Sequence, residues 1–136
     1  MREDYCELQF LSEPSKVRNM VRCMLDFVDS HGPASEVRED LKLVFSELLY
    51  NAVIHGNKRD RSKIVLARLE AAGGHLRASI QDEGSGFDYH NALERARTEA
   101  ALQSEHGRGM VLVCALTDNL SYNESGNQVR FEKRLR

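Results

Sequence analysis

The sequence predicts an α+β two-layer sandwich, a mainly antiparallel mixed sheet with helices on one face. Three observations predict it. Two long stretches with helical apolar spacing follow a first strand-like segment, a Gly73-Gly74 pair joins two β-rich segments, and an alternating pair closes the chain.

Residues 5–11 alternate well enough for a first strand, and Ser12-Glu13-Pro14 reads as a helix cap followed by an early-helix proline. Val17, Met20, Val21, Met24, Leu25 and Val28 recur at helical spacing, and His31-Gly32-Pro33 stops that helix before Ser35 caps the next. The second helix is expected over residues 36–55. Its apolar side is Val37, Leu41, Val44, Phe45, Leu48, Ala52 and Val53, which leaves Glu47, Asn51 and His55 on another side. Residues 63–71 and 75–81 are rich in Ile, Val and Leu, and Gly73-Gly74 can supply the positive φ angles of a tight hairpin between them. Residues 89–103 are helix-compatible, but their apolar face, Ala92, Leu93, Ala96 and Ala100, is small, which predicts a mobile segment. Residues 109–116 read as a further helix, and residues 119–122 and 128–135 as a closing hairpin around Glu124-Ser125-Gly126-Asn127.

A chain of 136 residues with 41% hydrophobic content supports one core, so a single domain over residues 1–136 is expected. A formal charge of −2 gives no global attraction to nucleic acid or to an anionic membrane, and neither is expected as a direct partner. The N-terminus lacks a basic-then-apolar signal, and no apolar run approaches the roughly 20 residues that span a bilayer. A cytoplasmic location is expected. Cys6, Cys23 and Cys114 form no C-x-x-C pair and are assigned no function. His31, His75, His90 and His106 are expected at the surface.

Glu47, Asn51 and His55 succeed one another at intervals of four residues. On a helix each interval turns the side chain by only about 40°, so the three share a stripe roughly 12 Å long. Such a stripe offers a proton acceptor, a hard oxygen suited to magnesium, and a polar rim, although a stripe of this kind taken alone is more often a solvated helix face. Asp82-Glu83-Gly84-Ser85-Gly86-Phe87 directly follows a strand, so a carboxylate is delivered next to a turn free of bulk. Asp82 can accept from an exocyclic amine while Gly84 and Gly86 let a flat ligand approach the backbone; a plain glycine turn is the alternative. Gly107-Arg108-Gly109 precedes an apolar helix that begins at Met110, and a helix start presents unsatisfied N–H groups to an anion. Arg108 adds a donor fork for a terminal phosphoryl group. A C-capping glycine with a solvated arginine remains open here. The G-x-x-x-x-G-K-[ST] phosphate loop is absent.

In order and spacing these segments resemble the three boxes of the gyrase, Hsp90, histidine-kinase and MutL ATPase superfamily. Glu47-Leu-Leu-Tyr-Asn51-Ala-Val-Ile-His55-Gly56-Asn57 is similar to its asparagine box, Asp82-x-Gly84-x-Gly86-Phe87 to its first glycine box, and Gly107-Arg108-Gly109-Met110 to its second. The Glu-x-x-x-Asn-Ala-x-x-His-Gly version resembles the anti-sigma-factor serine kinases, and the similarity runs from the first strand to the last hairpin. The resemblance implies a Bergerat-type ATP-binding fold, with Asn51 on magnesium, Asp82 on the adenine amine, Gly84 and Gly86 beside the base, and Gly107, Arg108, Gly109 and Met110 at the phosphates. It implies that Glu47 is the general base, that Arg108 stabilises the transferring phosphoryl group, and that residues 87–106 form an ATP lid. One departure stands out. The family often has a Thr just after the glycine of the last hairpin, whereas Gly126 is followed by Asn127-Gln128-Val129, where Gln128 can substitute if its amide points inward.

The activity implied is that of an ATP- and magnesium-dependent protein-serine kinase that switches partners. It would bind either a sigma factor or a small anti-sigma-factor antagonist whose serine it phosphorylates, as a homodimer using the first helix and its exposed edge. Two alternatives are a nucleotide-binding interaction module without significant transfer activity and a detached histidine-kinase catalytic domain. The last is disfavoured because no helical segment precedes the domain to present a phospho-accepting His.

Overall fold

The computed structural model describes residues 4–85 and 105–136, with side chains from residue 109 onward in the second stretch. Strand alternation builds the floor of the core. In β2 (Ile64–Ala72) Val65, Ala67, Leu69 and Ala71 are buried, in β3 (His75–Gln81) Leu76, Ala78 and Ile80, and in β5 (Gln128–Arg134) Val129 and Phe131. These period-two sets share one face of the sheet. With β1 (Tyr5–Leu11) and β4 (Asp118–Tyr122) the strands run in the order β1-β2-β3-β5-β4.

Every pairing in that sheet is antiparallel, so the mixed sheet expected from sequence is purely antiparallel among the described residues. Connectivity gives the reason. The helix-bearing connection after β3 leads to β4 at the outer edge, and β5 turns back between the two, so no neighbouring strands are parallel. Between β2 and β3, Gly73 and Gly74 have φ of 59° and 78°, the pair of positive angles that a two-residue hairpin turn demands.

The helices cover one face. A single 3₁₀ turn (Pro14–Lys16) leads into α1 (Val17–Asp29), which buries Met20, Val21, Met24, Leu25, Phe27 and Val28. Then α2 (Ser35–Tyr50) buries Leu41, Val44, Phe45, Leu48 and Leu49, and Phe45 meets Phe131 with ring centroids 6.2 Å apart. That contact joins the helix layer to the sheet. A third helix, α3 (Glu105–Leu116), adds Val113 to the same core. The opposite sheet face is polar, with Arg68 on Glu7 and Arg77 on Glu132, each at 3.2 Å.

Several local expectations are corrected. Ser12 is not a helix cap: it is fully buried at the end of β1, where its N–H donates to the Lys63 carbonyl and its hydroxyl meets Asn57. Nor does Ser35 cap α2, since Ala34 takes that place, its backbone N–H tied to the Leu135 carbonyl at 2.8 Å. His31 lies inside rather than at the surface. Its ring packs on Phe27 at 4.7 Å, with Nδ1 3.0 Å from the Phe27 carbonyl, because the chain folds back over the end of α1 before Gly32 turns it at φ 62°.

Candidate functional site

The site begins where α2 changes character. Instead of continuing to residue 55 as a regular helix, the backbone widens at Asn51 into a π turn (Asn51–Gly56), with the Asn57 N–H bonded to the Ala52 carbonyl five residues back at 2.8 Å. Such π insertions often occur at functional sites. Glu47 and Asn51 stay on one side as expected, but His55 leaves their stripe: it is exposed, its ring edge-on to Tyr50 at 6.3 Å.

Asn51 is buried at 6% exposure, and its Nδ2 points at the Met110 sulfur on α3, 3.6 Å away. Among the described residues no donor bonds to its Oδ1, which leaves that oxygen as an acceptor. Among the described residues no group of three or more His, Cys, Asp or Glu side chains could hold a metal. A magnesium ion here would therefore depend on Asn51 Oδ1 together with oxygens of a nucleotide and water, which fits a cation that usually takes only one or two protein ligands beside phosphates.

Asp82 follows β3 directly and is buried at 4% exposure. Burial pushes its carboxyl up to about 6, against the opposing pull of the Gly84 N–H, which donates to Oδ1 at 2.8 Å, and of Lys63. A buried carboxylate with one backbone donor has acceptor capacity to spare. Together with Asn51, Tyr122 and Asn127, Asp82 lines a narrow cleft beside Leu48 and Ile80. A wider groove lined by Arg68, Arg77 and Arg130 lies on the open sheet face, away from these residues.

Two glycines of the boxes are close-approach positions. A Cβ on Gly84 would run into the Gly56 carbonyl, and one on Gly109 would overlap the Glu47 carboxylate. The start of α3 therefore lies directly on the proposed base. Gly107 and Arg108, expected to precede a helix over residues 109–116, instead lie within α3, which takes in the whole box. Continuing the helix through two glycines costs about 1 kcal/mol each against Ala, an amount that packing of the apolar run from Met110 onward can offset.

Glu47, Asn51, Asp82, Gly84, Gly109 and Met110 are thus brought to one region by α2, the π turn, the end of β3 and the start of α3. Gly86, Phe87, most of the expected lid and the Arg108 side chain lie outside the described residues. The hairpin question left open by the sequence is answered: Gln128 faces the open side of the sheet, and Asn127 lines the pocket. Strand parity could have shown this, because Asn127 shares the parity of the buried Val129 and Phe131. A second residue, the last of the asparagine-box segment, has no role in the sequence reading. Asn57 is fully buried and hydrogen-bonded to three separate segments, and nothing in the local sequence signals those distant partners.

Fold and pocket together define a helix-on-sheet domain that brings a carboxylate and two amides into one cleft, with α3 and a second carboxylate alongside. Residues 10–133 match the family described as histidine kinase-like ATPase domain. The chain is 32% identical over 140 residues to serine-protein kinase RsbW of Bacillus subtilis (strain 168), covering 97% of this chain and 86% of that protein. It is 25% identical over 139 residues to an anti-sigma F factor of Clostridium botulinum (strain Alaska E43 / Type E3), covering 99% and 97%. In fold it is similar to the crystal structure of the RsbU and RsbW domains of Rv1364c from Mycobacterium tuberculosis, with a TM-score of 0.68 at 18% identity, over 98% of this chain and 33% of that one. The chain belongs to the histidine kinase-like ATPase domain family, among the anti-sigma-factor serine kinases. Among the described residues no helix is long and apolar enough to cross a membrane.

Proposed function

We propose that this chain is an ATP-dependent protein-serine kinase and anti-sigma factor, acting in the cytoplasm as one ATP-binding domain and as a homodimer. The observation that carries the reading is the convergence of Glu47, Asn51, Asp82 and Gly109, far apart in sequence, around one pocket and the helix start beside it. Asp82 accepts the adenine amine, Asn51 holds magnesium, and the N-terminal turns of α3 take the phosphates. When bound, magnesium neutralises phosphate oxygens.

Glu47 orients the serine hydroxyl of an antagonist protein and accepts its proton. The serine oxygen bonds to the γ-phosphorus as the bond to the β-phosphate oxygen breaks, and ADP leaves. Arg108 faces the charge that develops on the transferring group. A sigma factor is the competing partner, in keeping with the names of the relatives.

Incubation with γ-labelled ATP and a panel of small antagonist proteins tests this. Label on the acceptor should survive acid, as phosphoserine does; acid-labile label would point to histidine chemistry. Absence of transfer with intact ATP binding would favour the interaction-module reading, to which Asn127 in place of the usual Thr lends support.

A further inference from the structure

Asn57 has no part in the proposed chemistry, yet its side chain is fully buried and all its hydrogen-bonding groups are engaged. Its Nδ2 donates to the Ser12 hydroxyl at the end of β1 and to the Ile64 carbonyl at the start of β2, the latter at 2.9 Å. Its Oδ1 accepts from the Glu83 N–H at 2.7 Å. Glu83 closes the circuit by accepting the Ile64 N–H on its own carboxylate at 2.6 Å.

The neighbouring Gly56 gives this circuit its meaning. A Cβ on Gly56 would collide with the Asp82 carboxylate, and the Gly56 carbonyl in turn leaves no room for a side chain on Gly84. The Gly56-Asn57 pair therefore grips the Asp82-Glu83-Gly84 loop twice, by contact beneath Asp82 and by a hydrogen bond to the next residue. From the other side the Asp82 N–H is held by the Asn127 carbonyl at 2.9 Å. The π turn contributes too. One residue more per turn than an α-helix is what lets Asn57 bond back to Ala52.

We propose that Asn57 is a positioning residue for nucleobase recognition, fixing the Asp82 loop through the Glu83 N–H so that the Asp82 carboxylate meets an exocyclic amine. The inference rests on the ATP reading above, specifically on Asp82 as the base acceptor. It predicts a defect in discrimination rather than in folding alone. Inosine triphosphate carries a carbonyl where ATP carries the amine, so the ratio of ATP to inosine triphosphate affinity reports how well Asp82 is placed. A loss of folded protein weakens both nucleotides equally and leaves that ratio unchanged.

The experiment is calorimetric titration of both nucleotides into the full chain, as wild type, Asp82→Asn, Asn57→Ala, Asn57→Asp and Ser12→Ala, with thermal melts alongside. Asn57→Ala should lower the ratio about tenfold, the scale of a lost hydrogen bond to a charged group. Asn57→Asp, which keeps an acceptor for the Glu83 N–H, and Ser12→Ala, which removes a different partner, should melt earlier while retaining the ratio. Should Asn57→Ala not fold, Asn57→Ser, too short to reach Glu83, carries the same expectation. A wild-type ratio in whichever of these two variants folds overturns the inference, as does an equal fall in Ser12→Ala. Failure of the underlying reading looks different: the wild type then shows no preference for ATP, or Asp82→Asn retains it.

Discussion

Glu47 and Asp82 are both carboxylates at one site, and their surroundings give them different tasks. Glu47 is half-buried against Gly109 at the start of α3, whereas Asp82 is sealed under the loop that follows β3. Replacing the proposed base should separate binding from chemistry: Glu47→Ala should bind ATP nearly as wild type while transferring phosphate about 10² to 10⁴-fold more slowly. Single-turnover assays with a phosphorylatable antagonist measure this, and wild-type transfer would remove Glu47 from the mechanism. Asp82 makes a prediction in pH. Its carboxyl titrates at about 6 in the folded protein against an ordinary 3.8, so between those values the folded chain holds a proton that the unfolded chain has released. Stability of the nucleotide-free protein should therefore fall as pH rises across that window and level off above it. ATP binding should move the opposite way. If the amine is received by the ionised carboxylate, affinity should be about tenfold weaker at pH 5 than at pH 7, in proportion to the ionised fraction. Asp82→Asn should flatten both profiles and weaken ATP at neutral pH; unchanged profiles in melts and calorimetry would count against the assignment. Both carboxylates were legible in the sequence, Glu47 from its four-residue spacing to Asn51 and Asp82 from its place after a strand. Asn57 was not, since its partners Ser12 and Glu83 lie 45 and 26 positions away and leave no local signature.

At the scale of elements, the glycines distinguish two kinds of close approach. Gly84 faces the backbone of Gly56, which cannot move aside, while Gly109 faces the end of the Glu47 side chain, which can swing away. Gly84→Ala should therefore lower the melting temperature and ATP affinity together, overpacking of this kind costing about 1 to 3 kcal/mol. Gly109→Ala should leave the melt nearly unchanged and instead displace the proposed base, slowing transfer about as much as Glu47→Ala does. The double variant Glu47→Ala/Gly109→Ala should then be little slower than either single one, because both remove the same interaction. Multiplying rate losses would show that Gly109 acts on the phosphates independently of Glu47. Element boundaries explain why this relation was hidden. Apolar spacing locates α1, α2 and α3, and the Gly73-Gly74 pair fixes the hairpin, but apolar spacing does not reveal that α2 widens into a π turn at Asn51 or that α3 already includes the five residues before its apolar run. Those features are decided by what the backbone packs against.

Across the whole molecule, the proposed nucleotide pocket is set between the helix layer and the sheet, so nucleotide state and partner binding should act on a shared structure. The end of α2 supplies Asn51, the start of α3 lies on Glu47, and the Met110 sulfur links the two at 3.6 Å from the Asn51 amide. On the proposed reading, a protein partner that touches α3 or the exposed Tyr50 at the end of α2 should sense whether phosphates hold α3 against the site. By linkage the effect is reciprocal: if ATP changes the affinity for a sigma factor or antagonist, that partner must change ATP affinity by the same factor. A coupling of about 5 to 150-fold is typical of such systems and is enough to redistribute a kinase between two competing partners. Arg108, proposed to sense the γ-phosphate, should set most of the difference between ATP and ADP. Titration of an identified partner in ADP and in a non-hydrolysable ATP analogue should give unequal affinities for wild type, with the reverse titration showing the same ratio. Arg108→Ala should bring the two affinities together while leaving ADP binding nearly unchanged. Identical partner affinity in both nucleotides for the wild type would mean that the pocket holds ATP for transfer alone, and that partner exchange is governed only by phosphorylation of the antagonist.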